Sequence, residues 1–274
     1  MKAGPECLDC LWKLSRQATE LATSDPKVKS RIEREVPRIL GRFSEDIVPA
    51  DLGNQLHQTI REISKNPDPY RERKLREIET ARLAFSNIKP RGDLKSCVEI
   101  AAKGNAIDFF VDPESLEREL SGRPNFVIDD IVKFEGKLEG ARDILYLADN
   151  AAEVLFDLPL LTFLSGKARV GYVVKGSPVQ NDIALGDLQL TGLSLPAEII
   201  TSSATVGFYL DRASPQLRER FARADLVVAK GMGNYETLSE LPQEGRFFYI
   251  FRAKCPPVAR SLGVGLGDYV AMLR

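Results

Sequence analysis

The stretch Asp143-Ile144-Leu145-Tyr146-Leu147-Ala148-Asp149-Asn150-Ala151-Ala152-Glu153 decides the fold class. After Asp143, Ile144 to Ala148 form a short apolar run of strand length, and polar residues begin as soon as the run ends. The same change recurs four times. Arg169-Val170-Gly171-Tyr172-Val173-Val174 leads into Lys175-Gly176-Ser177-Pro178-Val179-Gln180-Asn181-Asp182, and Glu198-Ile199-Ile200-Thr201 into Ser202-Ser203-Ala204-Thr205. Leu226-Val227-Val228-Ala229 leads into Lys230-Gly231-Met232-Gly233-Asn234-Tyr235-Glu236, and Phe247-Phe248-Tyr249-Ile250-Phe251 into a segment ending Ala253-Lys254-Cys255. Strands separated by helix-length stretches predict βαβ units and a mostly parallel sheet. In such a sheet the polar residues after each strand share one edge, where doubly wound folds bind ligands.

Upstream the period changes. Leu52, Leu56, Ile60 and Ile63 recur at helical spacing, and mixed-sign charges such as those from Arg71 to Glu79 fill solvated faces. Asn66-Pro67-Asp68-Pro69-Tyr70 reads as a rigid turn before a helix, and Lys89-Pro90-Arg91-Gly92-Asp93 as a boundary. The expected architecture is α/β: a helical N-terminal domain over residues 1–92, then a three-layer α/β/α Rossmann-like domain over 93–274. Gly263-Val264-Gly265-Leu266-Gly267 reads as a turn, because it lies too near the end of the chain to open a further βαβ unit.

Composition narrows the chemistry. Among 274 residues there is one histidine, His57, and 38 basic residues balance 39 acidic ones to a net charge of −1. A single histidine excludes HExxH and histidine-rich zinc sites. No nucleophile elbow accompanies His57, which reads as a surface or satisfied core residue. Near-neutral charge gives no reason to expect nucleic acid or an anionic membrane as partner. No apolar run is long enough to span a bilayer and the first residues lack an apolar signal core, so a cytoplasmic location with reduced thiols is expected.

Four cysteines are present, and Cys7-Leu8-Asp9-Cys10 places two on one helical face. Two readings stand: half-buried thiols in an N-terminal helix, or a second, soft-metal or redox site completed by Cys255.

The strand-end residues suggest their own chemistry. Asp149, Asn150 and Asp182 are short oxygen donors on adjacent loops, suited to a hard divalent cation such as Mg²⁺ or Mn²⁺. Gly176-Ser177 and Gly231-Met232-Gly233 free backbone N–H groups near helix N-termini, and Lys175, Lys230 and Lys254 add positive charge. Metal plus phosphate cradle points to phosphoryl chemistry. Singly, each aspartate is equally well read as a helix N-cap. Gly231-Met232-Gly233-Asn234-Tyr235-Glu236 lacks the third glycine of a dinucleotide fingerprint, which disfavours NAD.

These residues also resemble the metal-dependent damage-control phosphatases, the family of domain of unknown function 89. Asp149-Asn150-Ala151-Ala152-Glu153, with Phe156-Asp157 behind it, resembles the family's Asp-Asn-Ala-Gly-Glu, with Ala152 where glycine is usual. Val174 to Asp182, Lys230 to Glu236, and Lys254-Cys255 are similar to its later motifs, with Ile183-Ala184 where Ala-Thr is frequent. Cys7-x-x-Cys10, Asp68-Pro69-Tyr70 with Lys74, and Gly104-Asn105-Ala106-Ile107-Asp108 resemble its cysteine-bearing prokaryotic branch.

The resemblance implies a divalent metal at Asp149, Asn150 and Asp182, phosphate at Lys254, and Glu153 and Asn234 lining the substrate site. Ser177 is a further phosphate contact, and Asn105, Asp108 and Glu236 are further candidates. It implies hydrolysis of small phosphorylated metabolites, such as sugar phosphates or phosphorylated cofactor fragments, with Mn²⁺ or Mg²⁺, or else Co²⁺ or Ni²⁺. Two other readings are a carboxyl methyltransferase-type group transfer, which needs no metal cluster, and a non-catalytic ligand or metal sensor using the cysteines.

Overall fold

The computed structural model describes residues 1–86, 88–105 and 122–274. The first three helices, α1 (Glu6–Ala22), α2 (Pro26–Leu40) and α3 (Pro49–Ser64), close on a small apolar core of their own. Leu11, Ile32, Val36, Leu56, Ile60 and Tyr70 meet there, one stripe from each helix. Local chemistry sets the helix ends. Asp25 accepts a hydrogen bond from the Lys27 N–H (2.8 Å) with Pro26 in the first turn of α2, and Lys65 ends α3 in the left-handed region.

Next come α4 (Arg71–Phe85) and α5 (Leu94–Gly104), which pack on the sheet. The remaining elements alternate: β1 (Phe126–Asp129), α6 (Ile131–Leu138), β2 (Asp143–Leu147), α7 (Val154–Ser165), β3 (Arg169–Lys175), α8 (Leu185–Thr191) and β4 (Glu198–Ser202). They continue with α9 (Pro215–Arg223), β5 (Leu226–Lys230), α10 (Gly231–Leu238), β6 (Phe247–Arg252), α11 (Pro256–Leu262) and β7 (Tyr269–Leu273).

The sheet order is β1-β7-β6-β5-β2-β3-β4. All pairings are parallel except β6 with β7, so the expected mostly parallel α/β fold is what forms. Strands β2 to β6 are the five legible in the sequence; β1 and β7 are additions to that reading. The chain reverses through the Gly263–Gly267 turn, and β7 returns antiparallel beside β6, with Phe248 opposite Leu273.

Alternate side chains of each central strand enter opposite layers. Ile144 and Tyr146 of β2, Val228 of β5 and Phe248 of β6 face a core covered by α4 to α7. Leu145, Leu147, Val227 and Tyr249 face a second core under α9, α10 and α11. A strand buried on both faces must read as a continuous apolar run, which is why β2, β3, β5 and β6 were visible. The edge strand β4 carries Glu198, paired with Arg169 and Arg220 at 2.7 Å each. Among the described residues no helix is long and apolar enough to cross a membrane.

Candidate metal and phosphate site

A backbone fold-back brings the predicted donors together. After β3 the chain turns and runs back past the end of β2. Ile183 N–H donates to the Asp149 carbonyl (2.8 Å), Ala151 N–H to the Asn181 carbonyl (2.9 Å), and Lys175 N–H to the Ile183 carbonyl (2.9 Å). Asn150 and Asp182 thereby face each other as an antiparallel bridge. Main-chain hydrogen bonds set this approach.

Side-chain amides orient the carboxylates. Asn150 Nδ2 donates to Asp149 Oδ2 (3.1 Å) and Glu153 Oε1 (2.7 Å), which leaves its Oδ1 as the free-facing acceptor. Asn105 Nδ2 donates to the same two oxygens at 3.0 and 2.8 Å, and its Oδ1 accepts the Arg252 N–H at 3.1 Å. Beneath them lies a fully buried ionic cluster. Lys230 Nζ is 2.7 Å from Glu153 Oε2 and 2.7 Å from Asp157 Oδ1. The Tyr146 and Tyr172 hydroxyls donate to Asp157 at 2.7 and 3.2 Å.

The electrostatics follow from burial and charge. Burial, then the charges of Glu153 and Asp182, push the Asp149 carboxyl well above its ordinary range. Burial likewise lifts Asp182 to about 6, although Lys175, 3.5 Å away, pulls it down. For Glu153, burial acts upward, but Lys230, Lys254 and the hydrogen bonds of Lys230 and Asn105 outweigh it, leaving the group below the usual range.

The residues present fit a hard divalent ion. Two carboxylates and an amide oxygen are oxygen-only donors. Among the described residues no three His, Cys, Asp or Glu side chains are placed to hold a metal by themselves, and the amide oxygen of Asn150 is the further oxygen donor beside Asp149 and Asp182. Buried Asn234 spends its Nδ2 on the Ala148 and Lys230 carbonyls (3.1 and 2.8 Å), while its Oδ1 has no protein partner. Such an acceptor suits a bound water or a substrate hydroxyl.

Gly231 keeps the site open. Its φ is +76°, and a Cβ there would lie 1.9 Å from Asp149 Oδ2. Gly231→Ala is therefore expected to lower stability by about 1–3 kcal/mol and to displace the Asp149 carboxylate. Thermal denaturation and Mn²⁺ titration read the two effects.

The other predicted residues distribute as follows. Lys254 is half-buried beside the cluster, its N–H donating to Met232 Sδ (3.3 Å), and its charge lowers both Asp149 and Glu153. Ser177 is exposed on the loop after β3. Asp108 lies outside the described residues. Glu236 is pushed up to about 7 by burial, against the charge of the N-terminus. Burial raises Cys7, Cys10 and Cys255, the last to about 12, and the charge of Glu236 adds to each. All three thiols are unbonded.

Two lysines differ from expectation. Lys230 does not face the loop space: as the last residue of β5 it points into the sheet layer and is fully enclosed by Glu153 and Asp157. Buried Lys175 donates to the Gly207 carbonyl (2.9 Å) and neutralises Asp182. Each ammonium is drawn inward by a buried carboxylate that needs a countercharge.

Helix α3 contributes residues that sequence reasoning passed over. Asn54 exchanges hydrogen bonds with both backbone groups of Val206 (2.7 and 3.2 Å), Tyr209 donates to Asp51 (2.7 Å), and Arg61 donates to the Pro178 carbonyl. His57 is buried and edge-on to Tyr70, with ring centroids 5.8 Å apart. Burial and the charge of Arg61 push it down to about 4, so it is neutral; its Nε2 has no partner, unlike the satisfied or surface histidine expected. No periodicity announces these contacts; only the tertiary placement of α3 over the strand ends does.

Relatives with the same organisation are known. A damage-control phosphatase of Pyrococcus horikoshii is 35% identical over 99% of this chain and 98% of its own length. A second damage-control phosphatase, from Archaeoglobus fulgidus, is 31% identical over 99% of both. The crystal structure of a DUF89 family protein from Pyrococcus horikoshii matches with a TM-score of 0.91 at 34% identity, covering 100% of this chain and 99% of that one. Residues 3–270 match the damage-control phosphatase ARMT1-like domain, and the chain belongs to that family.

Proposed function

We propose that this protein is a divalent-metal-dependent phosphatase that hydrolyses phosphate monoesters of small metabolites, such as sugar phosphates or phosphorylated cofactor fragments. By analogy with its relatives' names, that activity serves metabolite damage control. The observation that carries the reading is the Asn150–Asp182 bridge, which sets two carboxylates and an amide oxygen beside Lys254 at the carboxyl edge of the sheet.

Asp149, Asn150 and Asp182 would hold Mn²⁺ or Mg²⁺, with Co²⁺ and Ni²⁺ compatible with the same donors. A bound divalent ion supplies Lewis-acid polarisation of a phosphoryl oxygen and acidifies water. The chain's own groups do the rest. The Lys254 ammonium and the N–H groups at the start of α10 balance charge on the equatorial phosphate oxygens. Ser177, on the loop after β3, adds a hydroxyl donor. Glu153, held in place by Lys230, lines the substrate side with Asn234, whose unpartnered Oδ1 accepts a substrate or water hydrogen.

A phosphatase screen over sugar phosphates and phosphorylated cofactor fragments, with and without Mn²⁺, tests the proposal. Turnover is expected with at least one class, falling to background in EDTA and returning on Mn²⁺ addition. Full activity after exhaustive chelation would sink the metal-dependent reading.

A further inference from the structure

The motif Asp68-Pro69-Tyr70 with Lys74 supplies none of the donors described above, yet the fold places Lys74 two hydrogen bonds from the turn that carries Asp182. Asn66 Oδ1 accepts the Asp68 N–H (3.1 Å) and the Asp68 carbonyl accepts the Arg71 N–H (3.2 Å), so the turn runs directly into α4. One turn in, Lys74 is 1% exposed, with its Nζ 2.9 Å from Asp68 Oδ2 and 2.8 Å from Asp187 Oδ2. The same Asp187 oxygen accepts the Ala184 N–H at 2.9 Å, at the entrance to α8. Ala184 bridges to Lys175, and its neighbour Ile183 donates to the Asp149 carbonyl. A continuous path thus joins the Lys74 ammonium, through Asp187 and Ala184, to the Asp149–Asp182 fold-back. Arg61, donating to the Pro178 carbonyl, ties down the other end of the same loop.

We propose that Lys74 is a positioning residue: by holding Asp187 against Asp68 it fixes the turn that presents Asp182 to the metal. A buried ion pair contributes little net stability compared with apolar packing; its best-attested role is to fix which segments meet and in what register. The proposal rests on Asp149, Asn150 and Asp182 being the metal donors. Outer partners of metal ligands commonly change affinity by about 10- to 100-fold when removed.

The test is Mn²⁺ affinity by isothermal titration calorimetry, alongside the unfolding midpoint, for wild type, Lys74→Met, Lys74→Arg and Asp187→Asn. Lys74→Met is expected to weaken Mn²⁺ binding about 10- to 100-fold. Lys74→Arg restores most of the affinity, and Asp187→Asn falls between them. Wild-type affinity in folded Lys74→Met overturns the proposal, even if its unfolding midpoint has dropped, because that is the signature of a purely structural pair. Should Lys74→Met not fold, Asp187→Asn decides: reduced affinity supports the clamp and unchanged affinity overturns it. A wild-type protein that binds no Mn²⁺ overturns the metal reading and the clamp together, which separates that failure from the clamp's own.

Discussion

Lys230→Met is expected to lower the unfolding free energy by about 3–5 kcal/mol. That is a large share of the roughly 5–15 kcal/mol by which a domain is stable. The reason is uncompensated charge. Lys230, Glu153 and Asp157 have no exposed surface, and the ammonium makes a 2.7 Å contact to each carboxylate. Methionine fills nearly the same volume, so packing changes little while two carboxylates lose their countercharge. Asp157 keeps the Tyr146 and Tyr172 hydroxyls, and Glu153 keeps the Asn105 and Asn150 amides, so the loss is not total. Equilibrium unfolding in urea measures it, and the double variant Lys230→Met/Asp157→Asn is expected to recover part. An unchanged midpoint for Lys230→Met would show that the cluster takes up protons without cost to the fold.

The second large effect is on turnover. If the proposed metal site is right, Asp182→Ala is expected to reduce phosphatase activity by about 1,000-fold or more, since several kcal/mol of transition-state stabilisation would depend on a metal carboxylate. The fold should survive, because Asp182 is held by backbone: its bridge to Asn150 and the neighbouring Ile183 to Asp149 hydrogen bond need no side chain. Lys175 loses one partner but keeps the Gly207 carbonyl. Steady-state kinetics at saturating Mn²⁺, with circular dichroism as a folding control, separate the two effects. Wild-type kcat/KM in this variant would remove Asp182 from the metal site.

Asp149 and Asn150 were legible because they directly follow β2, a strand that is apolar on both faces, whereas Asp182 lies seven residues beyond β3 and was legible only as part of the polar loop after it. Asp149 follows Leu147 and Ala148, and a reader who finds the strand finds the loop. What stayed hidden lies inside elements. Asp157 sits in α7 and Lys230 at the end of β5, where a charge looks like an ordinary helix or loop-facing residue until its buried partner is known. Lys74 and Asp187 are separated by 113 residues, and nothing local to either predicts their meeting. For the fold, β1 escaped notice because it has four residues alternating half-buried and exposed, and Asp129 ends it. Tyr269-Val270-Ala271-Met272-Leu273 is an apolar run too short to distinguish strand from helix by period.

Among the described residues the order of the strands leaves two outer margins, β1 and β4, where backbone N–H and C=O groups could recruit a strand from another copy. Each margin carries a deterrent. On β4, Glu198 is gripped by Arg169 and Arg220, so an incoming chain would have to displace a charged lattice before pairing. On β1, brevity and Asp129, within 3.6 Å of Lys95, leave little to template on. The surface pairs that add little to folding stability therefore act on a different axis, keeping a seven-stranded sheet from growing into an eighth strand borrowed from a neighbour.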